Sequence, residues 1–207
     1  MKAEIAKGLL NSVSYTEYRK QLSDLLAQGL SSGDEQSEDL LAYSKLNETR
    51  MNRLEKTIVV PEEQVTSLNL LKHNYTWLVL AEGWCGDAAQ IVPVLFKIAS
   101  VSNKIDLKIV FRDENDNLMK CFLTNGARAI PKVIILDNDN NEYKSVWGPR
   151  PEGAANLIKS YKAQYGVVDQ TAKTELQLWY THDKGLSIMN ELVVIMTHIE
   201  ELIHQKI

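Results

Sequence analysis

Residues 78–99 read LVLAEGWCGDAAQIVPVLFKIA, with one cysteine, Cys85, at the junction between an apolar run and a helical pattern. A thiolate there attacks a disulfide and forms a mixed disulfide, and a second thiol three residues on normally resolves it. Ala88 occupies that position, so an internal Cys-x-x-Cys disulfide is excluded. A lone thiol still exchanges if substrate, a small thiol or another protein supplies the second sulfur, and it can also be oxidised to a sulfenic acid. The entry of a helix favours negative charge, which lowers a thiol pKa. The neighbouring acids Asp87 and Glu82 oppose this, and some net lowering is expected. Asp87 and Glu82 are also the candidates for moving a proton near the sulfur. The ordinary reading of Asp87 is a first-turn helix cap, which is preferred, and that of Glu82 is a solvated strand-end acid. Trp84, just before the cysteine, offers either a flat apolar contact surface or ordinary packing. The second cysteine, Cys121, reads as a buried, inert residue on an apolar helix face.

Other chemistry is weaker. DNDNNE from Asp137 opens like a calcium loop, but Glu142 stands where the glycine belongs and Gly148 where the bidentate glutamate belongs, so it reads as a hairpin turn. His73, His182, His198 and His204 lack zinc-ligand spacing, and no glycine-rich phosphate loop is present. No metal and no cofactor are expected. Arg150, in WGPRP, reads as loop chemistry.

The composition suits a soluble protein. Charged residues make up 24% and hydrophobic residues 44% of the 207, with a formal net charge of −4 at pH 7. That balance gives no electrostatic grip on a phosphate backbone, so nucleic acid is not an expected partner. The N-terminus lacks the apolar core of an export signal and the apolar runs are too short to span a bilayer. No membrane is expected, and the cytoplasm is the expected location. Two cysteines fit a reducing compartment.

Residues 1–55 read as helical. Ser14 and Glu17 are spaced as a capping box, followed by Tyr15, Tyr18, Leu22, Leu25 and Leu26 on one face. After the polar linker SSGDEQSED, a second helix carries Leu40, Tyr43, Leu46 or Asn47, Met51 and Leu54. KTIVV reads as a short strand and Pro61 as the first turn of a helix reaching His73. TWLVLAEG is an apolar strand of the doubly buried kind, and residues 86–100 a helix interrupted by Pro93. DLKIVFRD is a strand and ENDNLMKCFLTNG a helix stopped by Gly126. PKVIILD and EYKSVWG form a hairpin around NDNN, and a helix then runs to Gly166. VVDQTAKTE reads as a polar connector to a last helix through Ile188, Leu192, Ile195, Ile199 and Leu202. The order β-α-β-α-β-α-β-β-α is an α/β layer fold with a parallel half and an antiparallel edge.

Over about half its length the chain resembles thioredoxin. Trp84, Cys85, Gly86 and Pro93 match the active-site stretch position by position. In NGARAIPKVIILD, Gly126, Arg128, Ile130 and Pro131 match the segment that ends in Ile-Pro before the hairpin, and Gly148 suits the small residue after the last strand. The flanks QSEDLLAYSKLNETRMNRLEKT and LQLWYTHDKG further resemble a bacterial thioredoxin-like branch with a helical N-terminal extension and this Trp-Cys-Gly-Asp-Ala site. The resemblance implies a thioredoxin-like fold, a central mixed β-sheet flanked by helices, with extra N- and C-terminal helices. It divides the chain into a helical extension (1–55), a thioredoxin-like domain (56–166) and a C-terminal connector and helix packed on that domain (167–207). It implies a cis bond before Pro131, with Trp84, Gly86, Ile130 and Pro131 lining a groove for an extended substrate. Three departures stand out: the resolving cysteine falls on Ala88, the motif proline on Asp87 and the buried acid on Val79, with Glu82 a candidate to take over that acid's job. The implied activity is monothiol thiol–disulfide exchange at Cys85 with a protein or small-molecule disulfide or thiol. The alternative is a non-catalytic binding module using the Trp84/Pro131 groove.

Overall fold

The structure, a computed structural model, describes residues 1–139 and 142–205. Among the described residues the sheet has four strands, β1 (Tyr75–Ala81), β2 (Ile105–Phe111), β3 (Lys132–Asp137) and β4 (Glu142–Trp147), in the order β2-β1-β3-β4. β1 runs parallel to β2 and antiparallel to β3, and β3 pairs antiparallel with β4, with a register irregularity at Ile135/Leu136. Every residue of β1 and β3 is buried. Their near-continuous apolar runs reflect central strands covered on both faces. Asn140 and Asn141, in the hairpin turn and the rejected calcium loop, lie outside the described residues.

Among the described residues four helices precede the sheet, of which the first three are α1 (Lys2–Asn11), α2 (Tyr15–Ala27) and α3 (Glu38–Thr57). Ser14 caps α2 and Ser37 caps α3, each accepting from a backbone N–H in the first turn. Between α1 and α2, Val13 exchanges two backbone hydrogen bonds of 2.9 Å with Ile109, which closes part of the open edge of β2. The buried stripe of α2 is Tyr15, Tyr18 and Leu22. In α3 it is Ser44, Asn47, Met51 and Leu54, while Tyr43 and Leu46 are exposed. The polar Asn47 thus takes the inward position, donating to the Gly83 carbonyl at 2.9 Å, and α3 packs on α5 (Gly86–Ser100).

Several expected elements differ. KTIVV is not a strand: α3 continues to Thr57, Ile58 caps it, and Val59 is exposed without a neighbouring strand. Pro61 is the N-cap of α4 (Glu62–Asn69), which stops short of His73. The helix expected to reach Gly126 is a 3-10 turn (Asp113–Asn115) followed by α6 (Asp116–Cys121). It ends early because Thr124 and Ala127 pair across a tight turn at Asn125 and Gly126, both at positive φ. After β4, α7 (Glu152–Tyr165) ends at left-handed Gly166.

The largest correction is at the C-terminus. VVDQTAKTE is no connector, because Asp169 caps a helix, α8 (Gln170–Asp183), by accepting from the N–H of Ala172 at 3.0 Å. Only Ala172, Leu176 and Tyr180 of α8 are buried, so its apolar stripe is thin. In α9 (Leu186–His204) the buried positions are Ile188, Met189, Leu192, Met196 and Ile199; Ile195 is partly buried and Leu202 exposed. α9 packs on α4, α5 and β4. Among the described residues, no helix is long and apolar enough to cross a membrane.

Candidate functional site

Cys85 follows β1 and is the N-cap of α5, with extended backbone (φ −77°, ψ 115°). Its sulfur accepts from the N–H of Ala88 at 3.4 Å and lies 3.4 Å from the carbonyl of Ile130, toward which its own proton points. Ile130 joins Pro131 through a cis peptide bond, and Arg128–Pro131 lie outside the sheet ladder just before β3. Gly148, at φ +101°, closes this corner, since a Cβ there would sit 2.5 Å from the Pro131 carbonyl oxygen. The fold therefore brings Cys85, Gly86, Ile130 and Pro131 together.

The environment of the sulfur differs from the expectation. Cys85 is only 8% exposed. Burial pushes its thiol up to about 12, with the charge of Asp87 adding to the effect. The N–H groups of Ala88 and Asp87 and the positive charge of Arg150 pull the other way and are outweighed. The expected lowering is thus overturned: the helix entry does stabilise the thiolate, but desolvation is larger. Cys121, by contrast, is exposed rather than buried.

Asp87 does not cap α5; that position belongs to the sulfur of Cys85. One carboxylate oxygen of Asp87 takes Arg150 Nε at 2.9 Å and a terminal nitrogen of the same guanidinium at 2.6 Å. The other accepts from the Tyr180 hydroxyl at 2.8 Å. One turn on, Gln177 accepts from Gln90 at 2.7 Å, so α8 is tied to α5 at two successive turns. Gln177 and Arg50 also close over Gly86, where an added Cβ would lie 3.5 and 3.6 Å from them. Arg150, which the sequence had offered only as loop chemistry, and Tyr180, in a helix not expected at all, are the site residues that sequence reasoning missed. The usable signal was Asp169 as a cap, followed by Ala172, Leu176 and Tyr180 at four-residue spacing.

Glu82 is not solvated. It is fully buried, accepting from Ser32 Oγ at 2.5 Å and from the Asp113 N–H at 2.9 Å. Burial raises its carboxyl to about 7, against the lowering effect of those two donors. Tyr18 of α2 lies within the electrostatic reach of both Glu82 and Cys85. Val79, where the resemblance puts the buried acid, is fully buried in the core. Trp84 is partly buried, and the Arg112 guanidinium lies over its ring at 4.7 Å, so that flat face is already occupied. Arg112 is held in turn by Asp113, at 2.7 Å. Among the described residues, no three His, Cys, Asp or Glu side chains group as metal ligands do.

A family model described as Thioredoxin matches residues 33–162. Comparison with curated proteins gives no match. Among solved structures, an HIV epitope-scaffold protein superposes with a TM-score of 0.56 at 18% identity, covering 90% of this chain and 99% of its own. A protein of unknown function from Pseudomonas aeruginosa superposes with a TM-score of 0.51 at 16% identity, covering 94% and 99%. At those identities the two structures speak to fold alone. The family match takes in the cysteine motif, the Ile130–Pro131 corner and the whole four-stranded sheet, and on that ground the chain belongs to the thioredoxin family.

Proposed function

We propose that this chain carries out single-thiol exchange through Cys85, as a slow, sheltered nucleophile in a reducing, cytoplasmic setting. The observation that carries the reading is the sulfur at the N-cap of α5, 3.4 Å from the Ile130 carbonyl beside Pro131. An extended segment docked along Arg128–Pro131 brings its own sulfur to Cys85. The Cys85 thiolate attacks one sulfur of the partner disulfide; the S–S bond breaks as the new one forms, and the second sulfur leaves as a thiolate and takes up a proton. A small-molecule thiol then attacks the partner's sulfur in the mixed disulfide, a new disulfide forms between those two sulfurs as the bond to Cys85 breaks, and Cys85 leaves as a thiolate that takes up a proton. The electrons come from that external thiol.

A second reading, a binding module in which Cys85 is a passenger, is favoured by the buried sulfur and its raised pKa. One experiment separates them. Cys121→Ser protein is incubated with a small aromatic disulfide at pH 8, and the adduct is followed by mass. Exchange predicts a slow adduct that disappears in Cys85→Ser. No adduct over hours on the folded protein, with rapid reaction after unfolding, supports the binding module and overturns exchange.

A further inference from the structure

Exchange places a negative charge on a sulfur that water barely reaches. The fixed acid nearest in sequence is Asp87, two residues along the same first turn, and its charge opposes ionisation of Cys85. Both oxygens of Asp87 are engaged from outside α5. Arg150, between Pro149 and Pro151 on the segment joining β4 to α7, directs two nitrogens at one oxygen. Tyr180, 3% exposed on α8, gives its hydroxyl to the other. Tyr18 of α2 is a further titratable group within electrostatic reach of the sulfur.

Resting on the exchange reading, we propose that Arg150 and Tyr180 are positioning residues that neutralise and hold Asp87, so that the sulfur of Cys85 can carry the charge of the attacking thiolate. The grip on both oxygens distinguishes this from an ordinary surface ion pair. A buried carboxylate with one donor removed keeps more of its charge directed at its neighbours. α8 is therefore part of the reacting site, although it stands far from Cys85 in sequence.

The test is the rate of iodoacetamide capture of Cys85 in Cys121→Ser protein between pH 7 and 9.5, with thermal melts alongside. Tyr180→Phe, which keeps the ring, is expected to slow capture at a given pH by about three- to tenfold, and Arg150→Gln by about tenfold or more. Asp87→Asn is expected to accelerate it. In the Asp87→Asn background, Tyr180→Phe should lose its effect, because the hydroxyl acts through the carboxylate. If Arg150→Gln does not fold, the Tyr180→Phe cycle decides alone. A Tyr180→Phe protein with a lowered melting temperature but unchanged capture rate would make the tyrosine a packing residue and overturn the proposal. So would an effect that persists undiminished beside Asp87→Asn. A wild-type protein that forms no mixed disulfide, while these rates still shift, overturns the exchange reading and leaves the coupling to Asp87 standing.

Discussion

The sulfur of Cys85 lies 3.4 Å from the carbonyl oxygen of Ile130, a residue 45 positions away in the chain. This contact joins the two motifs that matched thioredoxin and puts a lone thiol in the corner between α5 and the start of β3. What the corner lacks is a second sulfur, and the first prediction restores it.

Ala88 is 1% exposed, and its N–H points at the Cys85 sulfur from 3.4 Å. Ala88→Cys, in a Cys121→Ser background, should oxidise to an internal disulfide, because residues at this spacing on a first helical turn satisfy disulfide geometry. Counting free thiols after mild oxidation checks it: zero is expected, and two would show that the turn cannot close.

The two native cysteines should differ sharply toward an alkylating reagent. Cys121 is exposed and should react first. Cys85, with its thiol pushed up to about 12, should react slowly. Its rate should climb about tenfold per pH unit through pH 9 without levelling, because only the thiolate reacts. A plateau below pH 8.5 would contradict the dominance of burial over the helix entry.

Glu82 should leave a mark on stability against pH. Its folded-state carboxyl lies at about 7, above the ordinary 4.5, so the folded protein binds the proton more tightly than the unfolded chain. Stability from this group is then highest below about pH 4.5 and declines as pH rises toward 7, by up to about 3 kcal/mol. Urea titrations at a series of pH values should show a shallower decline over this window in Glu82→Gln. Equal slopes in variant and parent would mean that Glu82 ionises as an exposed acid does.

Gly148→Ala should destabilise the fold by about 1–3 kcal/mol. The residue sits at φ +101°, and an added Cβ would meet the backbone oxygen of Pro131 at 2.5 Å, an atom that no side-chain rotation can move. A thermal melt unchanged from the parent would show that this corner yields easily.

Read alone, the sequence determined the central frame. The apolar runs of β1 and β3, the hairpin of PKVIILD and EYKSVWG, the helix carrying Pro93 and the residues Trp84-Cys85-Gly86 and Ile130-Pro131 are local features, readable from residue type and spacing. Ala88 settled from sequence alone that no Cys-x-x-Cys disulfide forms. Terminal detail was less legible. The thin stripe of α8 resembled a polar connector, and KTIVV had strand-forming residues but no neighbouring strand to pair with.

Only the tertiary structure decided the chemistry of the site, because the solvation of an ionisable group depends on what packs against it. Asp87 meets Arg150 across 63 positions and Tyr180 across 93, and Ser32 meets Glu82 across 50. None of these pairings leaves a periodic trace in sequence. They turn Asp87 from a cap into a clamped carboxylate and Glu82 from a solvated acid into a buried one. The same packing makes Cys85 a protonated thiol at a position whose backbone alone favours the thiolate, since the desolvation of a buried charge exceeds what a few N–H groups at a helix entry return.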